Sequence, residues 1–230
     1  MTTPIIWRIN RNMTNVTIAL VLKTGGEYYD YKYVNNIVDS IRENISTSYR
    51  IVCITDNDIG LSNHIDEIIP FKHNWPKWWG KIELFRPDIL QDGQIFFFDL
   101  DTFIVGCLDD IIAYRGPFCG LRDFYNLEVM ASGFMSWQGS RFTRIYDEFV
   151  KRPEHFMQVN EVAGDQAFIR RLVQSNQFFQ DQFPNQIVSY KVHCGNGDDK
   201  KVPSNARVLC FHGKPKPHEI NNDLRSYWKQ

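Results

Sequence analysis

The apolar positions of this chain fall into two periods. Residues 16–22, VTIALVL, are short, β-branched and almost wholly apolar, the pattern of a strand buried on both faces. After the glycine-containing stretch KTGGEYYD the period changes. Val34, Ile37, Val38, Ile41 and Ile45 recur at helical spacing, which predicts a helix packed back onto the sheet. RIVCIT at 50–55 reads as a second buried strand ending at Asp56, and IDEIIPF as a short third one. KWWGKIELFRPDIL predicts a helix that stops near Pro87, and QIFFFDLDTFIVG at 94–106 reads as carrying one further strand, with Asp99 at its carboxyl end.

Strand, helix and strand in succession imply a parallel α/β sheet with right-handed crossovers. Beyond Pro117 the runs shorten to FCGLRDF, ASGFMSW and RVLCFHG, mixed with helices expected at about 140–151 and 165–174. CGNGDDKKVPSN at 194–205 reads as a mobile loop. The expectation is one α/β domain over 1–230. Its parallel half covers about 16–110, its mixed half about 111–217, and a tail follows over 218–230.

Composition narrows the function classes. At 230 residues the chain can bury a substantial core. A formal net charge of −1 argues against coating a nucleic acid, which calls for a basic excess. No segment approaches the roughly 20 apolar residues of a membrane span, and the N-terminal stretch lacks a signal-peptide layout. These features predict a cytoplasmic protein with no transmembrane segment, in which the formal sequons at Asn12, Asn15 and Asn44 go unused. The five cysteines include no CxxC pair, so buried thiols in a reducing compartment are expected rather than a zinc site.

The chemistry concentrates in one place. Asp99 and Asp101 interrupt an otherwise apolar run, and burying an unpaired carboxylate is costly. In an open α/β sheet the ligand crevice lies outside the carboxyl ends of the strands. The pair is therefore expected at a ligand site rather than in the core. Asp56 and Asp58 have the same spacing, but there the sequence reads as a turn. Two enzyme classes put two aspartates after an apolar strand. A haloacid dehalogenase-type phosphatase uses the first as nucleophile, on the first strand of its fold. A glycosyltransferase of the GT-A type uses the pair to hold Mn²⁺ or Mg²⁺ against a nucleoside diphosphate. About a hundred residues precede the pair here, which suits the second class. A sugar-nucleotide-binding domain without turnover is the non-enzymatic alternative.

The sequence resembles GT-A glycosyltransferases, especially the glycogenin-like and lipopolysaccharide galactosyltransferase-like group, over about residues 16–217. FFFDLDTFIV is similar to the group's aspartate-pair strand, MASGFMSW to its donor-sugar loop, GDQAF to its Asp-Gln element and CFHGKPKPHE to its terminal His-Gly-Lys-Pro motif. The resemblance implies a single Rossmann-like domain with a mixed, mainly parallel central sheet flanked by helices. It implies Asp99, Asp101 and His212 as metal ligands, with Leu100, Ser132, Gly133, Gly213, Lys214 and, less strongly, Lys216 around the donor. Lys81 corresponds to a basic residue directed at the diphosphate, while Trp78 and Trp79 read as packing or acceptor-facing. Lys23, Thr24, Gly25, Gly26 and Asp56 are expected near the nucleoside, and Asp165 and Gln166 at the reacting face of the sugar. For Asp165 a helix N-cap is an equally good reading. The implied reaction is transfer of a hexosyl unit from a UDP-sugar, UDP-glucose or UDP-galactose, to a hydroxyl of a glycan or other acceptor. Ala131 stands where the group has asparagine, and the terminal motif lacks a spacer between histidine and glycine.

Overall fold

The computed structural model describes residues 16–173, 177–197 and 199–229. The sequons at Asn12 and Asn15 lie outside them. VTIALVL forms β1 (Val16–Leu22), and RIVCIT forms β2 (Arg50–Thr55). Between them runs α1 (Tyr31–Asn44), capped by the Asp30 carboxylate, which accepts from Lys32 N. Val34, Ile37, Val38 and Ile41 are all fully buried, as the helical spacing predicts. The chain continues through β3 (Glu67–Pro70) and a 3₁₀ helix (Lys77–Phe85) into β4 (Gln94–Phe98).

These strands and two later ones, β6 (Cys119–Arg122) and β7 (Met130–Gln138), form a six-stranded sheet in the order β3-β2-β1-β4-β7-β6. β1 pairs in parallel with β2 on one side and β4 on the other, while β7 runs antiparallel to β4 and β6. The strand order reverses between β1 and β4. In such sheets the ligand crevice opens at that switch point, and Asp99 is the first residue after β4.

The stretch 94–106 carries the strand expected to end at Asp99 and then a second, unexpected one. It breaks at the aspartates: β4 ends at Phe98, and β5 (Thr102–Ile104) enters a second, three-stranded sheet with β8 (Ile187–Ser189) and β9 (Val208–Cys210), in the order β5-β9-β8. The apolar run hides this because both strands are buried. The backbone at the break is held from both sides: Asp99 N donates to Gly133 O at 2.8 Å, and Phe211 N donates to Asp101 O at 3.0 Å.

The remaining elements are α2 (Asp109–Ile112), α3 (Arg144–Phe149), α4 (Pro153–Val159), α5 (Gly164–Val173), α6 (Phe179–Gln182) and α7 (Tyr190–His193), with short 3₁₀ turns. The helix expected at 140–151 divides into a 3₁₀ turn (Gly139–Phe142) and α3. The helix expected up to Pro87 is 3₁₀ and stops at Phe85. Arg86, preceding the proline, is extended at φ −58° and ψ 140°, because a following proline disfavours the helical conformation. The 56–58 segment is a turn as read, with Ile59 N donating to Asn57 Oδ1 at 3.1 Å. Among the described residues no helix is long and apolar enough to cross a membrane.

The core lies on both faces of the large sheet, and β4 alternates between them. Phe96 and Phe98 pack with Ile18, Leu20 and α1, whereas Ile95 and Phe97 pack with Ile82, Trp137 and Phe168. On the first face Phe134 is stacked between Phe98 (centroids 4.4 Å apart) and Phe179 (3.9 Å). All three are fully buried, so little can collapse into the space left by truncation. Phe134→Ala should lower stability by about 3–5 kcal/mol. A denaturant titration checks this, and an unchanged midpoint would contradict the packing described.

Candidate active site

Lys81 organises the carboxyl end of β4. It leaves the 3₁₀ helix and is almost wholly buried, with Nζ 2.9 Å from Asp99 Oδ1, 3.2 Å from Asp165 Oδ2 and 3.1 Å from Ser132 Oγ. An ammonium has three N–H donors, and three acceptors meet it here. Ser132 Oγ donates in turn to Asp165 Oδ2 at 2.6 Å. Burial alone would lower the Lys81 ammonium, but Asp165 and Asp99 overcome it and hold it above the ordinary lysine range. Burial also pushes the Asp165 carboxyl up, and Lys81 and Ser132 oppose that rise. Asp99 is pushed up by burial and by the like charge of Asp101, against the pull of Lys81.

Two glycines admit this arrangement. A Cβ on Gly133 would lie 3.2 Å from Asp99 Oδ2, a tight contact that the carboxylate would have to yield to by a few tenths of an ångström. Gly164 opens α5 at φ +65°, and a Cβ would lie 2.7 Å from Trp78 Nε1. This close packing sets Asp165 into the first turn of α5, where its carboxylate bonds to Lys81 and Ser132. Gln166 follows it, half-buried. Trp79 is buried, and Trp78 is 43% exposed beside the site.

Asp101 has a different set of partners. Lys216 Nζ is 2.5 Å from its Oδ2, Tyr29 OH donates to the same oxygen at 2.8 Å, and Lys216 also donates to Tyr29 OH at 2.7 Å. The terminal motif thus reaches the aspartate pair through Lys216. Lys214 is exposed, lies over the Tyr28 ring and sits 3.9 Å from Glu219. Leu100, between the aspartates, is buried. At the end of β1, Lys23 is paired with Asp56, which also accepts from Thr24 N at 2.9 Å. Gly25 (φ +83°) and Gly26 have open space where a Cβ would stand.

His212 does not join the carboxylates. Its Nε2 is 2.7 Å from Ser189 Oγ, and its ring stacks on Phe124. Ser189 Oγ already accepts from Lys191 N and Val192 N, so its hydroxyl proton goes to His212, which is neutral. The adjacent Gly213 takes φ +66°. Among the described residues no group of three or more His, Cys, Asp and Glu side chains is placed to hold a metal ion. The two aspartates are nevertheless donors of the right chemistry. Mg²⁺ and related hard cations take one or two carboxylates and complete their shell with water and phosphate oxygens. The pair fits such a cation; His212 as placed contributes nothing to it. Tyr29 and Ser189 went unread in the sequence. Tyr29 had at least the signal of lying in the loop after β1.

No protein-family profile and no curated protein matches the chain. Solved structures do. The glycosyltransferase GlyE of Streptococcus pneumoniae TIGR4 aligns with 93% of this chain at a TM-score of 0.66 and 14% identity. Its apo form gives 0.65 and 13%. A galactosyltransferase, LgtC, solved with donor and acceptor sugar analogues, aligns with 92% of this chain and 93% of its own at 0.63 and 12%. This chain has the GT-A fold. It spans about three-fifths of GlyE, 59% of that chain. At these identities the likeness speaks for the GT-A fold, and the aspartates of this chain occupy the switch point of that fold.

Two outcomes follow. Lys81→Met should destabilise the protein by about 3–5 kcal/mol, because it leaves Asp165 buried without its cation; chemical denaturation measures this. Burial pulls the His212 imidazole down from 6.5 to about 4. The unfolded chain therefore binds more protons than the native one between those values. The stabilisation is complete above pH 6.5 and is lost as pH falls towards about 4. His212→Gln should flatten that part of the stability–pH curve, and NMR of the imidazole should give a midpoint near 4.

Proposed function

We propose that this chain is a cytoplasmic, metal-dependent glycosyltransferase that moves a hexosyl unit from a UDP-sugar to a glycan hydroxyl with retention of configuration. The donor would be UDP-glucose or UDP-galactose. The observation that carries the reading is the pair Asp99 and Asp101 at the switch point of the sheet, with Lys81 and Lys216 bonded to it. A site of this composition is suited to a diphosphate joined to the carboxylates through a divalent cation. The likeness to GlyE and LgtC supports the same reading.

In this reading Asp99 and Asp101 would hold Mn²⁺ or Mg²⁺, which would supply neutralisation of the charge on the diphosphate. Lys216 and Lys214 add positive charge on the side of the terminal motif. Lys23, Thr24, Gly25, Gly26 and Asp56, at the end of β1, receive the nucleoside. Lys81 has every N–H engaged, so its work is to fix Asp99 and Asp165 in place. Asp165, held by Lys81 and Ser132, faces the sugar together with Gln166, Ser132 and Gly133. His212 would have to release Ser189 Oγ to join the residues that would hold the metal.

Calorimetric titration with UDP tests the reading. Binding should be clear with Mn²⁺ and largely lost in EDTA, and UDP-glucose or UDP-galactose should be hydrolysed slowly without an acceptor. Equal UDP affinity in both conditions would remove the metal from the account. Robust Mg²⁺-dependent hydrolysis of p-nitrophenyl phosphate would instead favour the phosphatase.

A further inference from the structure

The two lysines at the aspartate pair are held differently. Lys81 meets three acceptors from three elements, and no N–H is left over. Lys216 meets two, Asp101 Oδ2 and Tyr29 OH, and its side chain and that of Asp101 are 12% and 7% exposed. Its backbone is anchored separately: Lys216 N donates to Glu219 Oε2 at 2.7 Å. The main chain therefore stays in place while the four-carbon stem is free to choose another partner by rotation.

That partner is a matter of electrostatics. The ammonium and the Tyr29 hydroxyl together saturate Asp101 Oδ2. A divalent cation drawing on Asp101 would stand within a few ångströms of the ammonium, in a site with little water to screen their repulsion. A diphosphate offers the ammonium a strong acceptor of opposite charge close by.

We infer that Lys216 competes with the divalent cation for Asp101, and that the diphosphate of the donor draws Lys216 away, so that metal and nucleotide bind cooperatively. The coupling half of this inference rests on the donor reading above; the competition half concerns the metal alone. By linkage, UDP raises Mn²⁺ affinity by the same factor as Mn²⁺ raises UDP affinity.

The test titrates Mn²⁺, followed by the paramagnetic resonance of the free ion, with and without UDP. Lys216→Gln should bind Mn²⁺ alone about tenfold tighter than wild type, while its enhancement by UDP shrinks about tenfold. Lys216→Arg, which keeps the charge, should behave as wild type towards Mn²⁺ alone. Tyr29→Phe loosens the lysine without removing it and should tighten Mn²⁺ by a smaller factor. A purely structural role for Lys216 would not produce opposite signs for metal and nucleotide. Unchanged or weaker Mn²⁺ binding by both Lys216→Gln and Tyr29→Phe, without UDP, would overturn the competition. Mn²⁺ binding that tightens as expected but never responds to UDP would overturn the coupling and the donor reading, leaving the competition in place.

Discussion

A single buried ammonium holds this site in shape. Lys81 joins the 3₁₀ helix, the end of β4, the start of β7 and the first turn of α5 through its three bonds. Removing the charges from water offsets much of their attraction, so such a cluster is weak evidence for net stability. Its value is geometric. With Lys81 in place, Asp99 and Asp165 have fixed positions around one cation, and Ser132 orients the second of them. The glycines at 133 and 164 belong to the same arrangement: a Cβ at 164 would clash with Trp78, and one at 133 would press on Asp99.

The aspartate pair is also a structural joint. Between Phe98 and Thr102 the chain leaves the large sheet for the small one, and the three intervening residues include both carboxylates. The small sheet contains β9, whose extension carries His212 and Lys216. The end of β4, at the switch point where open α/β sheets form their crevice, is therefore also where the two sheets are tied together. That arrangement lets a residue more than a hundred positions downstream, Lys216, reach Asp101.

Much of this was legible in the sequence, and the exceptions have physical causes. β1, β2 and α1 were readable because their periods are unambiguous and their ends carry polar residues. The end of β4 at Asp99 was readable too; the second sheet that β5 enters was not, because Phe103 and Ile104 are as apolar as Phe96 and Phe97. The pair itself was found by its position after a buried strand. Tyr29 lies 72 residues from Asp101, and no local pattern announces a contact over that span. His212 was read from its motif as a metal ligand, but the hydroxyl that engages its Nε2 comes from Ser189, in a three-residue strand too short to read. Lys214 and Lys216 are alike in sequence; the fold places Lys216, not Lys214, at the carboxylates.

The most direct test of the central claim is a crystal grown with UDP and Mn²⁺, with anomalous scattering used to locate the metal. The account predicts one manganese peak between the carboxylates of Asp99 and Asp101, with the diphosphate beside it, within reach of Lys216, and Lys81 still bonded to Asp165. A nucleotide bound away from the end of β4, or no metal at the pair, would contradict it.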